Sequence, residues 1–177
     1  MRLTASFFER DVLEVAPDLL GKYIARQHNG EVAMFRIVET EAYRGAEDLA
    51  CHASKGRTPR TEVMYGRGGL VYVYLIYGMY YLLNFVTAGE GAPQAALIRG
   101  VEGAVGPGRV GKLLQLDKSF YAEDLATSTR IWVEGKDEPA PLIQTAKRVG
   151  VDYAGVWKDK PWRFIAASAA ATPCLQE

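Results

Sequence analysis

The pattern of apolar and polar positions changes character several times along the chain. RDVLEVAPDLLGKYIA repeats its apolar residues at helical spacing and predicts a helix over roughly residues 9 to 20, with Pro17 near a second helical start and Gly21 as a stop. VAMFRIVETEAY, from Val32 to Tyr43, is β-branched and aromatic and predicts a strand. From Arg44 to Gly69 the chain turns polar and Gly-rich, and a loop of that length in a compact domain is usually functional or wraps a binding face. Leu70 to Ile76 and Met79 to Val86 are both strand-like, and Gly78 suits a tight reversal, so they predict a β-hairpin with Tyr77 at its tip. In its first strand Tyr72 and Tyr74 face one side, and Val71, Val73 and Leu75 the other. Five of the ten tyrosines fall in this hairpin, which suits either a stacking surface or an ordinary strand.

Composition narrows the class. A chain of 177 residues, 49% hydrophobic and 24% charged, reads as one soluble domain that buries its core without staples. No repeat or linker divides it; residues 1 to 167 are expected to form the domain, and 168 to 177, within AASAAATPCLQE, a tail without fixed structure. Cys51, Cys174, His28 and His52 are too few for a structural metal site, so neither metal nor cofactor is expected. The apolar run from Leu70 to Val86 is broken by Gly78 and Asn84, and MRLTASFFER has no export pattern. A reducing, cytoplasmic setting follows, associated with the nucleoid in a bacterium.

Lys+Arg and Asp+Glu both number 21, which argues against non-specific coating of nucleic acid but leaves room for a local footprint. Basic residues cluster at Lys55, Arg57, Arg60 and Arg67, at Arg99, Arg109 and Lys112, and again from Lys147 to Arg163. For any one cluster a solvated face is the plainer reading.

Two motifs carry chemistry. Glu39, Glu41 and Tyr43 project to one side of a strand. Spacing alone favours a solvated edge or a salt bridge; the neighbouring aromatic residues and the loop with His52 shift the balance toward an enclosed carboxylate of raised pKa acting as general base. GPGRVGK, at 106 to 112, nearly matches a phosphate-binding loop. Leu113 stands where that loop needs Ser or Thr, so a milder reading remains, in which backbone N–H groups at the start of a helix VGKLLQL meet an anion.

VETEAYRGAEDLACHASKGRTPR, GGLVYVYLIYGMYYLLNFV, AALIRGVEG, GPGRVGKLL and AKRVGVDYAGVWKDKPWRF, in that order, resemble the 3-methyladenine DNA glycosylase family of the alkyladenine glycosylase type, over about Phe7 to Phe164. The resemblance implies an α+β fold: a single mixed domain with a curved antiparallel sheet, a protruding hairpin and surrounding helices. It implies a monomer that flips a damaged purine out of double-stranded DNA and hydrolyses its N-glycosidic bond, with no lyase step, no cofactor and no membrane. Glu41 then matches the catalytic acid that activates water, and Arg99 the arginine that helps hold the water and the DNA backbone. Tyr43, His52 and Tyr74 match the residues enclosing the flipped base, Asn84 the one crowding the 2-amino group of guanine, and Leu97 the pocket floor. Tyr77 matches the wedge that enters the duplex. Arg57, Arg60, Arg109 and Lys112 are candidates for backbone contact.

Against the resemblance, TAGEGAPQAA makes the stretch from Asn84 to Arg99 two residues longer than the family pattern, which points to a longer loop and leaves the floor around Leu97 open. A catalytically silent binder of damaged or bent DNA is the alternative function, and a nucleotide hydrolase is a third.

Overall fold

Residues 1 to 167 are described by the computed structural model, so the expected tail at 168 to 177 lies outside the described residues. The chain opens with two short helices, α1 (Ala5–Phe8) and α2 (Val12–Asp18), in place of the single helix expected over 9 to 20. Glu9 closes α1, and the Asp11 carboxylate then caps α2 by accepting the Leu13 N–H. Pro17 does not start a second helix. It sits in the last turn of α2, where it withholds a donor, and the helix ends one residue later.

Among the described residues nine strands build the sheet: β1 (Tyr23–His28), β2 (Glu31–Arg44), β3 (Val71–Ile76), β4 (Tyr80–Thr87), β5 (Gln94–Val101), β6 (Ala104–Val105), β7 (Ile131–Glu134), β8 (Ile143–Ala146) and β9 (Arg163–Ala166). Every pairing is antiparallel. The order is β3-β4-β5-β2-β1-β7, with β9 added beside β2, β8 beside β9 and β6 beside β5. The long strand β2 joins two halves, pairing with β1 through its first residues and lying between β5 and β9 through its last. The result is the expected α+β domain with a curled antiparallel sheet and a few helices.

Alternation along the strands decides what each face buries. Val71, Val73, Leu83, Phe85 and Ile98 pack with Phe8, Val12, Val15 and Val110 from the helices into the main core. Tyr72, Val86 and Ala95 point the other way, onto Cys51, Ala53, Val63 and Met64. The segment from 44 to 69 therefore acts as a second layer, with two 3-10 turns at His52–Lys55 and Glu62–Tyr65. No helix among the described residues is long and apolar enough to cross a membrane.

Tyr77, Gly78 and Met79 connect β3 to β4, with Ile76 paired to Tyr80; within this connection the Met79 N–H donates to the Ile76 carbonyl at 3.1 Å across Tyr77 (φ 52°) and Gly78 (φ 67°). Both central residues are left-handed, as a type I′ turn requires. Gly adopts that geometry freely; Tyr77 holds it against the usual preference of a bulky side chain.

α3 (Pro107–Leu113) differs from the expected helix VGKLLQL: it starts earlier, with Pro107 in its first turn, and releases Leu114 to Leu116. One glycine of the GPGRVGK stretch is required by packing. A Cβ at Gly111 would lie 1.9 Å from the Tyr81 carbonyl oxygen, so this glycine lets α3 lie against β4. The longer connection between β4 and β5 spans residues 88 to 93, before Leu97 enters the sheet.

Candidate active site

Strand register brings the expected residues together. Tyr72 lies opposite Asn84, Asn84 opposite Leu97, Leu97 opposite Glu41 and Glu41 opposite Arg163, so one row crosses five strands. Residues directly opposite one another share a face.

Arg99, two residues beyond Leu97 on β5, falls on this face by alternation, at an irregularity in the pairing with β2. Ile98 pairs with Thr40 and Gly100 with Glu39, which leaves Arg99 as an extra residue on β5. Its guanidinium lies between two carboxylates, 3.1 Å from Glu39 and 3.6 Å from Glu41.

The two carboxylates have different surroundings. Glu39 is bonded to Arg99 and, at 3.1 Å, to Arg163, so it serves as an ion-pair partner. Glu41 is fully buried; it accepts the Tyr43 hydroxyl at 2.7 Å on one oxygen and the Val149 N–H at 2.8 Å on the other. Burial raises its pKa above the ordinary carboxylate value, while Arg99, the Tyr43 hydroxyl, the Val149 N–H and Arg148 hold it down. Burial prevails.

A cavity of about 440 Å³ opens in front of this carboxylate. Pockets of roughly 300–1,000 Å³ hold small ligands. Tyr43, His52, Tyr74, Asn84, Leu97 and Arg99 line it, and Tyr77 stands at its edge. Glu41 lies behind the wall and meets the cavity through Tyr43, Arg99 and Val149, all lining residues.

The aromatic wall is locked from within. His52 Nδ1 is 2.9 Å from the Tyr72 hydroxyl, and its ring packs edge-on against Tyr74 with centroids 4.7 Å apart. Burial, aided by Arg60 and Lys55, pushes the His52 pKa down to about 4, so the imidazole is neutral at pH 7. Burial raises Tyr43 and Tyr74, keeping both phenols protonated. The Asn84 amide donates to the Tyr72 carbonyl at 3.1 Å, which fixes its orientation.

Tyr77 is 84% exposed at the hairpin tip, with Met79 beside it 65% exposed. The four basic candidates divide. Arg57 is paired with Glu62 at 2.6 Å and lies over Tyr65. Arg109 and Lys112 are exposed on α3, with Arg109 lining a second hollow that borders Tyr77. Arg60 lies over the Tyr74 ring and lines the main cavity.

Three contributors carry no local sequence signal. Val149 acts through its backbone N–H; Arg148 and Asp48, both buried, hold the segment that carries it. Among the described residues no group of three or more His, Cys, Asp or Glu side chains is placed to hold a metal ion.

Most of the chain is similar to known proteins. The sequence model for methylpurine-DNA glycosylase (MPG) matches residues 6–106 and 102–170. Three similar relatives carry the provisional name 3-methyladenine DNA glycosylase. The one from Desulfitobacterium hafniense is 44% identical, over 92% of this chain and 94% of its own. That from Myxococcus xanthus is 45% identical over 92% and 88%, and that from Methanocella arvoryzae 42% over 99% and 96%.

Proposed function

Because this chain belongs to the methylpurine-DNA glycosylase family, we propose that it excises alkylated or deaminated purines, of the 3-methyladenine, 7-methylguanine and hypoxanthine type, from double-stranded DNA. The observation that carries this reading is Glu41, a buried carboxylate of raised pKa directly behind an aromatic cavity. A silent DNA binder has no use for it.

A base inside the duplex is out of reach until the nucleotide is extruded, at a cost of a few kcal/mol that is least for damaged or mispaired bases. Tyr77 enters the gap, and base–aromatic stacking of about 1–3 kcal/mol replaces part of what was lost. The extruded purine lies between Tyr43 and Tyr74 with His52 at its edge and Leu97 at the floor. Asn84, held by the Tyr72 carbonyl, crowds a 2-amino group. Ionised Glu41 takes a proton from the water that attacks C1′, and Arg99 helps position that water and the DNA backbone. Arg57, Arg109 and Lys112 meet phosphates. No lysine lines the cavity among the described residues, so bond cleavage proceeds through water and leaves an intact abasic strand. The protein acts as a monomer in the compartment that holds the DNA.

The test is a set of labelled duplexes carrying 3-methyladenine, 7-methylguanine or hypoxanthine. Strand breakage only after alkali supports the reading; breakage without alkali, or an adduct trapped by borohydride, contradicts the water-mediated step. No breakage with any of the three lesions contradicts the glycosylase reading itself.

A further inference from the structure

Arg60 stands between the 3-10 turns of the 44–69 segment, with its guanidinium carbon 4.9 Å from the centroid of the Tyr74 ring. It lines the same cavity as Tyr74 and His52. Glu62, the acid two residues away, is bonded to Arg57 instead. Arg99, another cation of the cavity, faces Glu39 and Glu41. The charge of Arg60 therefore bears on whatever occupies the space beside Tyr74.

We infer that Arg60 is a specificity-determining residue, whose fixed positive charge favours the departure of neutral purines over cationic ones. This rests on the glycosylase reading above. When the C1′–N9 bond of a hypoxanthine nucleotide breaks, the electron pair stays on the purine, which becomes anionic until it gains a proton. The water oxygen bonds to C1′, and its proton passes to Glu41. A cation fixed near the ring stabilises the charge that develops on the leaving base.

When an N7-alkylated guanine leaves, the same electron pair discharges a cation and yields a neutral base. Arg60 then gains nothing in the transition state and opposes entry of the charged base. The Tyr74 ring, a natural partner for a cationic base, already faces a guanidinium. His52 does not substitute for Arg60. The groups around it are Tyr72 and Tyr74 of β3, Arg60, and Lys55 of its own turn, and it remains uncharged at pH 7.

The experiment is single-turnover excision of hypoxanthine and of 7-methylguanine from matched duplexes by the wild type, Arg60→Gln and Arg60→Lys. Arg60→Gln should lower the hypoxanthine-to-7-methylguanine rate ratio by roughly two- to fivefold, the size of an exposed cation–aromatic contact. Arg60→Lys should keep most of it. Equal slowing on both lesions, with the salt dependence of duplex binding reduced by about one charge, would mark Arg60 as a phosphate contact and overturn the inference. Because Arg60 is exposed, the Gln variant should fold, and titration of His52 by NMR should then show its pKa raised. An active wild type with an unchanged ratio in Arg60→Gln removes this inference alone. A wild type inactive on both lesions removes the glycosylase reading with it.

Discussion

Arg148 and Asp48 are 100 positions apart in the chain and meet fully buried, Nη1 to Oδ2 at 2.5 Å and Nη2 to Oδ1 at 2.9 Å. Asp48 also accepts the Arg44 and Ala50 N–H groups, and Arg148 donates to the Ala42 and Trp157 carbonyls. The pair ties the segment at 148 to β2, and the next residue places its N–H on Glu41.

Asp48→Ala strands the Arg148 charge inside the protein. A loss of about 3–5 kcal/mol is expected, as for other broken buried pairs. Chemical denaturation measures it. Replacing both partners with apolar residues, Asp48→Leu with Arg148→Met, should cost less than Asp48→Ala alone.

Tyr43→Phe removes a hydroxyl that stabilises the Glu41 carboxylate, so the Glu41 pKa should rise further. The proposed base acts ionised, and activity falls as pH drops through its pKa. The acid limb of the excision profile should therefore move to higher pH in the variant. An unmoved limb would separate Glu41 from the step that limits the rate.

His52 titrates near 6.5 in the unfolded chain and near 4 in the fold. A lowered folded pKa means that the unfolded state binds more protons between these values, so this contribution to stability is present above pH 6.5 and is lost as pH falls toward 4. His52→Gln should flatten the melting temperature against pH in that window. A slope equal to that of the wild type would assign the acid sensitivity elsewhere.

Tyr77→Ala should melt within a few degrees of the wild type, because the ring is exposed and Ala bears the same left-handed strain. Excision of a well-paired lesion should slow greatly, and the defect should shrink when the lesion lies in an unpaired loop, where extrusion costs less. Tyr74→Ala should impair both contexts alike. Unfolding of the Tyr77 variant would return that ring to the core.

What was legible in the sequence was local. Strand β2 extends one residue beyond each end of its expected span, and β3 divides its tyrosines and valines between faces as period two dictates. Helix bounds were less legible: Pro17, expected near a helical start, sits in the last turn of α2, and the break at Glu9 and the Asp11 cap that follows were missed. Strands β1, β8 and β9 had no clear alternation to announce them. The expected pocket residues do line one cavity, but the buried pair and the Val149 amide were invisible, because their partners are a hundred residues away and one of them is backbone.

The row from Tyr72 to Arg163 draws one residue from each of five strands, and Glu41 is held from the far end of the chain. The pairings of Glu41 with Leu97 and Arg163, and its bond to the Val149 N–H, each enclose a long loop of chain, and such contacts are slow to form. A partly folded chain, whether nascent or damaged by heat, thus contains no working fragment of the site. The proposed base therefore comes into position only with the finished sheet. Refolding followed by recovery of excision should then lag behind recovery of strand content and coincide with the last phase of closure.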